Sequence, residues 1–246
     1  MSLAAAPVVV IGLLGAELQL ARIGPKLPDD TPLDHDGHIG PAGRSLRMVW
    51  LGDSTAAGVG ASSAAAAVPA RVALGLRRPI DLVDLAVSGD RVRDVVHDQL
   101  PKLAAQHPDV ILISIGANDA IHLTSRAAFR RTYEQMLAAM PTDVKVVLLG
   151  VPDMGAPPRL AQPLRALAGL RGRQLDTLVR KMARDAGALY VNIAEETGPT
   201  MRSDTSRYFA ADRYHPADDG YALWAAAVLD VLRPTLARPE EVVGAN

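Results

Sequence analysis

WLGDSTAAGVG, residues 50–60, closes the short apolar run Met48-Val49-Trp50-Leu51 with Gly52, Asp53, Ser54 and Thr55 before alanine-rich sequence resumes. An unbroken apolar run of this length reads as a strand buried on both faces, and Gly, Asp, Ser and Thr are turn and helix N-cap residues. The segment therefore predicts a strand, a sharp turn and a helix start, with Ser54 at the strand's carboxyl end. A hydroxyl there lies beside unpaired N–H groups that stabilise developing negative charge, which makes Ser54 a candidate nucleophile. The same residues also make an ordinary helix cap, so the assignment needs a base and oxyanion donors from elsewhere in the chain.

Downstream the pattern recurs. Apolar runs at residues 80–87, 110–115, 144–150 and 188–193 alternate with helical patterns at 62–78, 92–106, 126–140, 164–186 and 217–232. Pro69 predicts a break or a late start in the first helix. The run Val110–Ile115 is β-branched and uninterrupted, as suits a central parallel strand. Five strands alternating with helices predict an α/β fold, an open parallel sheet covered by helices on both faces, over residues 46–235. In such sheets the ligand site lies outside the carboxyl ends of the strands, so the polar turns after the first three strands converge on one crevice.

The flanks carry less pattern. Residues 3–16 are almost wholly apolar before Glu17, Gln19 and Arg22, shorter than the ~20 residues a membrane span needs and without a basic start. Residues 1–23 therefore predict an apolar N-terminal helix or anchor that packs on the domain or rests on a membrane surface through residues 3–22. This places the protein in the cytoplasm or at a membrane, with export by an uncleaved signal as the alternative. Residues 24–45 read as a Pro, Gly and Asp-rich linker arm, in which Asp34, His35, Asp36 and His38 are expected to be solvated rather than to hold a metal. Residues 236–246 read as a tail.

Composition narrows the function classes. A net charge of −1 argues against nucleic acid as a partner, and the absence of cysteine excludes disulfides, thiolate metal sites and cysteine nucleophiles. Aromatic residues at 4% leave little material for base-stacking platforms.

Strand ends supply the missing components. Ser54 follows the first strand, Gly89 the second and Asn118 the third, and Asp212-Arg213-Tyr214-His215 precedes the last helix. His215 is placed to take the serine proton and Asp212 to orient the imidazole. The N–H groups of Ser54 and Gly89, with the Asn118 side-chain amide, would bind a tetrahedral oxyanion, and glycine at 89 lets the backbone approach the substrate closely. Singly, each residue also reads as a turn glycine, a loop asparagine or a helix start. No metal or cofactor is needed.

In these four blocks, Gly52-Asp53-Ser54, Ser88-Gly89-Asp90, Gly116-Ala117-Asn118-Asp119 and Asp212-Arg213-Tyr214-His215, the chain resembles the SGNH, or GDSL-type, hydrolases. The resemblance covers residue 47 to about residue 231. It implies a flavodoxin-like three-layer sandwich with strand order 2-1-3-4-5, a Ser54 nucleophile, a His215 base oriented by Asp212, and an oxyanion hole of Ser54, Gly89 and Asn118. It also implies an acyl ester or thioester substrate. The expected activity is ester hydrolysis; the alternative is transfer of a short or medium acyl chain to a sugar or glycerate-glycoside hydroxyl. A non-catalytic, membrane-docked binding module is the reading from another class. Met154 and Leu160, in the Pro-rich segment after the fourth strand, are candidate walls for an acyl chain; Arg159, Arg202 and Arg207 are candidates for an acidic acceptor or a coenzyme A phosphate.

Overall fold

The computed structural model describes residue 27 and residues 33–236. Among these residues six strands form one sheet: β1 (Gly37–Ile39), β2 (Leu46–Gly52), β3 (Ile80–Asp84), β4 (Val110–Ser114), β5 (Lys145–Leu149) and β6 (Leu189–Val191). Their order is β1-β3-β2-β4-β5-β6. Strands β2 to β6 are all parallel, and their order is the expected 2-1-3-4-5 when numbered among themselves. The sixth strand is an addition: β1 pairs antiparallel with β3 at the edge, Gly37 opposite Leu82 and Ile39 opposite Ile80.

The helices are α1 (Val68–Gly75), α2 (Val92–Asp94), α3 (Leu100–Leu103), α4 (Ala117–Ile121), α5 (Arg126–Ala138), α6 (Leu164–Asp185), α7 (Ile193–Ser203), α8 (Thr205–Tyr208) and α9 (Asp218–Leu236). Successive strand residues point to opposite faces, so the continuous apolar runs feed two cores. Met48, Trp50, Leu112 and Val147 pack with Val72 of α1 and Trp224 and Val228 of α9 on one side. Val49, Leu51, Ile113 and Leu148 pack with Phe129 and Tyr133 of α5 and Leu175 and Val179 of α6 on the other. The result is the three-layer α/β sandwich that the alternation predicts.

Departures from the expected elements have local causes. Pro69 sits in the first turn of α1, where its missing N–H costs nothing, so that helix begins late. The expected helix 92–106 is interrupted by a π-helical turn, Val95–Gln99, between α2 and α3. No regular helix starts at Ser54; residues 54–60 stay in turns, closed by Ala57 N–H to Asp53 C=O and Val59 N–H to Ser54 C=O. Residues 193–208, which the sequence pattern leaves as a loop, hold α7 and α8.

The arm is corrected in part. Its described residues are not all a solvated linker: β1 joins the sheet, and His35 is buried, its Nε2 2.6 Å from Asp84 Oδ2. The Asp84 N–H donates to Asp36 Oδ1 at 2.7 Å. An antiparallel edge strand with only three residues gains little from the sheet by itself, and the His35–Asp84 contact holds it at the sheet's edge. Residues 1–26, including the expected apolar helix, and residues 237–246 of the expected tail lie outside the described residues. Among the described residues no helix is long and apolar enough to cross a membrane.

His35→Ala leaves the buried Asp84 carboxylate without this partner and is expected to lower unfolding free energy by about 1–3 kcal/mol. Urea unfolding of His35→Ala, Asp84→Ala and the double variant measures it. Single losses that add without coupling would show that the contact does not anchor the arm.

Candidate active site

The site is built where β2 ends between its two neighbours. At Gly52 the backbone takes φ +148°, and a Cβ would lie 2.0 Å from the Ser114 carbonyl oxygen, so only glycine lets the strand turn here against β4. Asp53 N–H then donates to Ser114 C=O at 3.0 Å. The Asp53 carboxylate folds back into an Asx turn, Oδ1 accepting from the Thr55 N–H at 3.0 Å and hydroxyl at 2.8 Å. The turn leaves the Ser54 side chain at the head of the strand.

His215 arrives from the loop before α9. Residues 209–216 form a closed loop, with a bridge between Phe209 and Pro216, and with Ala210 N–H donating to His215 C=O at 2.9 Å. Asp212 Oδ1 accepts from the N–H groups of Tyr214 and His215, which locks the carboxylate. Its Oδ2 lies 2.6 Å from His215 Nδ1, and His215 Nε2 lies 3.0 Å from Ser54 Oγ. The Tyr214 ring meets the imidazole edge-on at 5.1 Å between centroids. Three side chains that the sequence separates by up to 161 positions thus form one hydrogen-bonded chain.

Electrostatics fit that chain. Burial raises the Asp212 pKa, but the hydrogen bond and positive charge of His215 outweigh it and hold the carboxyl below its ordinary value. An ionised Asp212 stabilises the imidazolium that forms when His215 takes a proton. Asp53 behaves oppositely: it is buried, its Oδ2 has no hydrogen-bond partner among the described residues, and burial pushes its pKa up to about 6 against the Thr55 hydrogen bonds.

The expected oxyanion donors differ in what they already bind. Among the described residues the N–H groups of Ser54 and Gly89 donate to no protein acceptor. Asn118, in the first turn of α4, gives one hydrogen of its side-chain amide to Asp90 C=O at 2.9 Å and keeps the other. Gly89 is exposed and lies outside the cavity lining, with φ +91°, and a Cβ there would meet nothing within 4 Å. The positive φ at 89 favours glycine through backbone conformation.

A mostly apolar cavity of about 40 Å³ opens beside Ser54 and His215. The segment after β5 gives it Pro152, Met154 and Ala156, α7 gives Met201, and Phe209 and Trp224 complete the wall. Of the candidate substrate residues, Met154 lines this cavity, whereas Leu160 is buried in the core away from it. Arg202 is paired with Asp153 at the cavity wall. Arg207 is paired with Asp219 at 2.6 Å and covers the Tyr208 ring. Arg159 contacts the back of the loop, its N–H donating to Arg213 C=O and its guanidinium to Asp212 C=O. The structure thus joins Ser54, His215 and Asp212 directly, and it gives each of Arg202 and Arg207 a carboxylate partner from this chain.

Residues 50–223 match the GDSL-like lipase/acylhydrolase family. The chain belongs to that family. It is 32% identical over 197 residues to a GDSL-like esterase of Mycobacterium tuberculosis, covering 78% of this chain and 63% of that relative's length. It is 25% identical over 165 residues to the acetylxylan esterase of Geobacillus stearothermophilus, 63% of this chain and 72% of that one. Its fold is similar to the lipase/acylhydrolase from Enterococcus faecalis, at TM-score 0.62 and 23% identity over 78% of this chain and 97% of that chain.

The two aspartates predict separable effects of pH on stability. A depressed carboxyl pKa contributes stability above the unfolded value and loses it on acidification; a raised one contributes below the unfolded value and loses it as pH rises through the folded value. Against an ordinary value of 3.8, Asp53→Asn should abolish a decline in stability that the wild type shows up to about pH 6. Asp212→Asn should instead flatten the loss below about pH 4. Urea midpoints across pH test this, and curves parallel to wild type in both variants would contradict it.

Proposed function

We propose that the protein is a serine-dependent esterase that hydrolyses short acyl esters through an acyl-Ser54 intermediate. The observation that carries this reading is the continuous chain Ser54 Oγ–His215 Nε2 at 3.0 Å and His215 Nδ1–Asp212 at 2.6 Å. His215 takes the hydroxyl proton as Ser54 Oγ bonds to the ester carbonyl carbon. The N–H groups of Ser54 and Gly89 and the free hydrogen of the Asn118 amide bind the oxyanion. Collapse breaks the bond to the alcohol oxygen, which leaves with the proton from His215. Water then attacks the acyl-serine by the same steps and releases the acid and the free serine.

Acyl length is argued from the cavity. A volume of about 40 Å³, walled in part by Met154, Met201, Phe209 and Trp224, suits an acetyl or similarly short group better than an extended chain. The likeness to an acetylxylan esterase agrees with this. Transfer to a sugar or glycerate-glycoside hydroxyl would use the same acyl-enzyme with the acceptor in place of water.

Steady-state kinetics on p-nitrophenyl esters of graded length, with and without a glycoside acceptor, test the reading. Wild type should turn over acetate and butyrate esters far better than octanoate. Ser54→Ala should abolish turnover, and Asn118→Ala should lose about 10²–10³ in kcat. Undiminished turnover in Ser54→Ala would refute the serine mechanism, octanoate preference would refute the short-acyl assignment, and an acylated glycoside as main product would make the enzyme a transferase.

A further inference from the structure

Gln99 is fully buried at the end of the π-helical turn Val95–Gln99. It lies in a stripe with Val92, Val95 and Leu103, all buried and apolar. Its side chain has no unused hydrogen. Oε1 accepts from the Gly52 N–H at 2.9 Å, and Nε2 donates to Gly52 C=O at 2.8 Å and to Asp90 Oδ2 at 2.8 Å. The Asp90 carbonyl in turn accepts from Asn118 Nδ2 at 2.9 Å.

One amide therefore reaches all three sources of the oxyanion donors. It grips the residue two before Ser54, the residue immediately after Gly89, and, through Asp90, the side chain of Asn118. An apolar side chain would fill this place in the core without the desolvation and ordering cost of a buried glutamine. π-Helical turns are rare and occur frequently at functional sites. Both features set Gln99 apart from residues that only pack.

We infer that Gln99 is the positioning residue of the oxyanion hole: it fixes the Ser54, Gly89 and Asn118 loops relative to one another and does not itself touch substrate. Removing it lets the loops drift apart by fractions of an ångström, enough to weaken hydrogen bonds formed to the transition state while leaving the cavity intact. The inference rests on the esterase reading, so wild-type turnover and its loss in Ser54→Ala are measured first; failure there is failure of that reading, not of this one.

Gln99→Met keeps the length and removes all three hydrogen bonds. Its kcat on a short-acyl ester at 25 °C should fall roughly 30–300-fold with KM within about threefold, and phosphonate labelling of Ser54 should slow in parallel. Asp90→Ala removes only the bond to Asp90 from a partly exposed side chain and should lower kcat about 5–30-fold, which keeps the test decisive if Gln99→Met does not fold. A folded variant of either kind that melts at lower temperature yet keeps kcat within about twofold of wild type would overturn the proposal and leave Gln99 a structural residue.

Discussion

At Gly52 the chain leaves the sheet with a backbone that no Cβ could enter, because the Ser114 carbonyl of the neighbouring strand occupies that space. This contact determines where the site is. β2 lies between β3 and β4, so its end is the place where connections diverge to the two sides of the sheet. The loop after β3 brings Gly89, the loop after β4 brings Asn118, and the turn after Gly52 holds Ser54 between them. His215 is supplied separately, on a closed loop ahead of α9, and a buried, ionised Asp212 holds its ring. On the proposed mechanism the strand ends would fix the oxyanion donors and the loops would supply the base, so that little has to reorganise as charge develops.

Much of this was legible in the residues. Parallel strands buried on both faces leave uninterrupted apolar runs, which is why β2 to β6 and the two-sided helical cover could be anticipated. The four short blocks pointed to Ser54, His215 and Asp212, which the structure joins in one hydrogen-bonded chain, because each is a particular residue type at a strand end or before a helix. β1 escaped because an edge strand of three residues, Gly-His-Ile, has no period to detect. Asp36 and His35 looked like loop polarity until Asp84, 49 positions beyond His35, supplied the partner.

Charge partners were the least legible feature. Arg202 and Arg207 have the residue type expected for an acidic ligand, yet tertiary structure gives each a carboxylate of its own chain, Asp153 and Asp219. Gln99 did leave a trace. Its spacing from Val92, Val95 and Leu103 puts one polar residue on an otherwise buried face, and a buried amide must find hydrogen-bond partners. What spacing alone could not supply was their identity, since Gly52 lies 47 positions away. The cavity likewise depends on side chains from the segment after β5, from α7 and from α9, whose meeting follows from packing and not from any local pattern.

On the proposed mechanism the Ser54–His215–Asp212 chain makes Ser54 an acyl acceptor. Intact-protein mass spectrometry, after rapid acid quench of the protein with p-nitrophenyl acetate, tests it most directly. One added acetyl group is expected on wild type, mapped to Ser54, and none on Ser54→Ala. An acetyl adduct of equal occupancy on both proteins, or turnover of the ester by wild type with no dependence on Ser54, would contradict it.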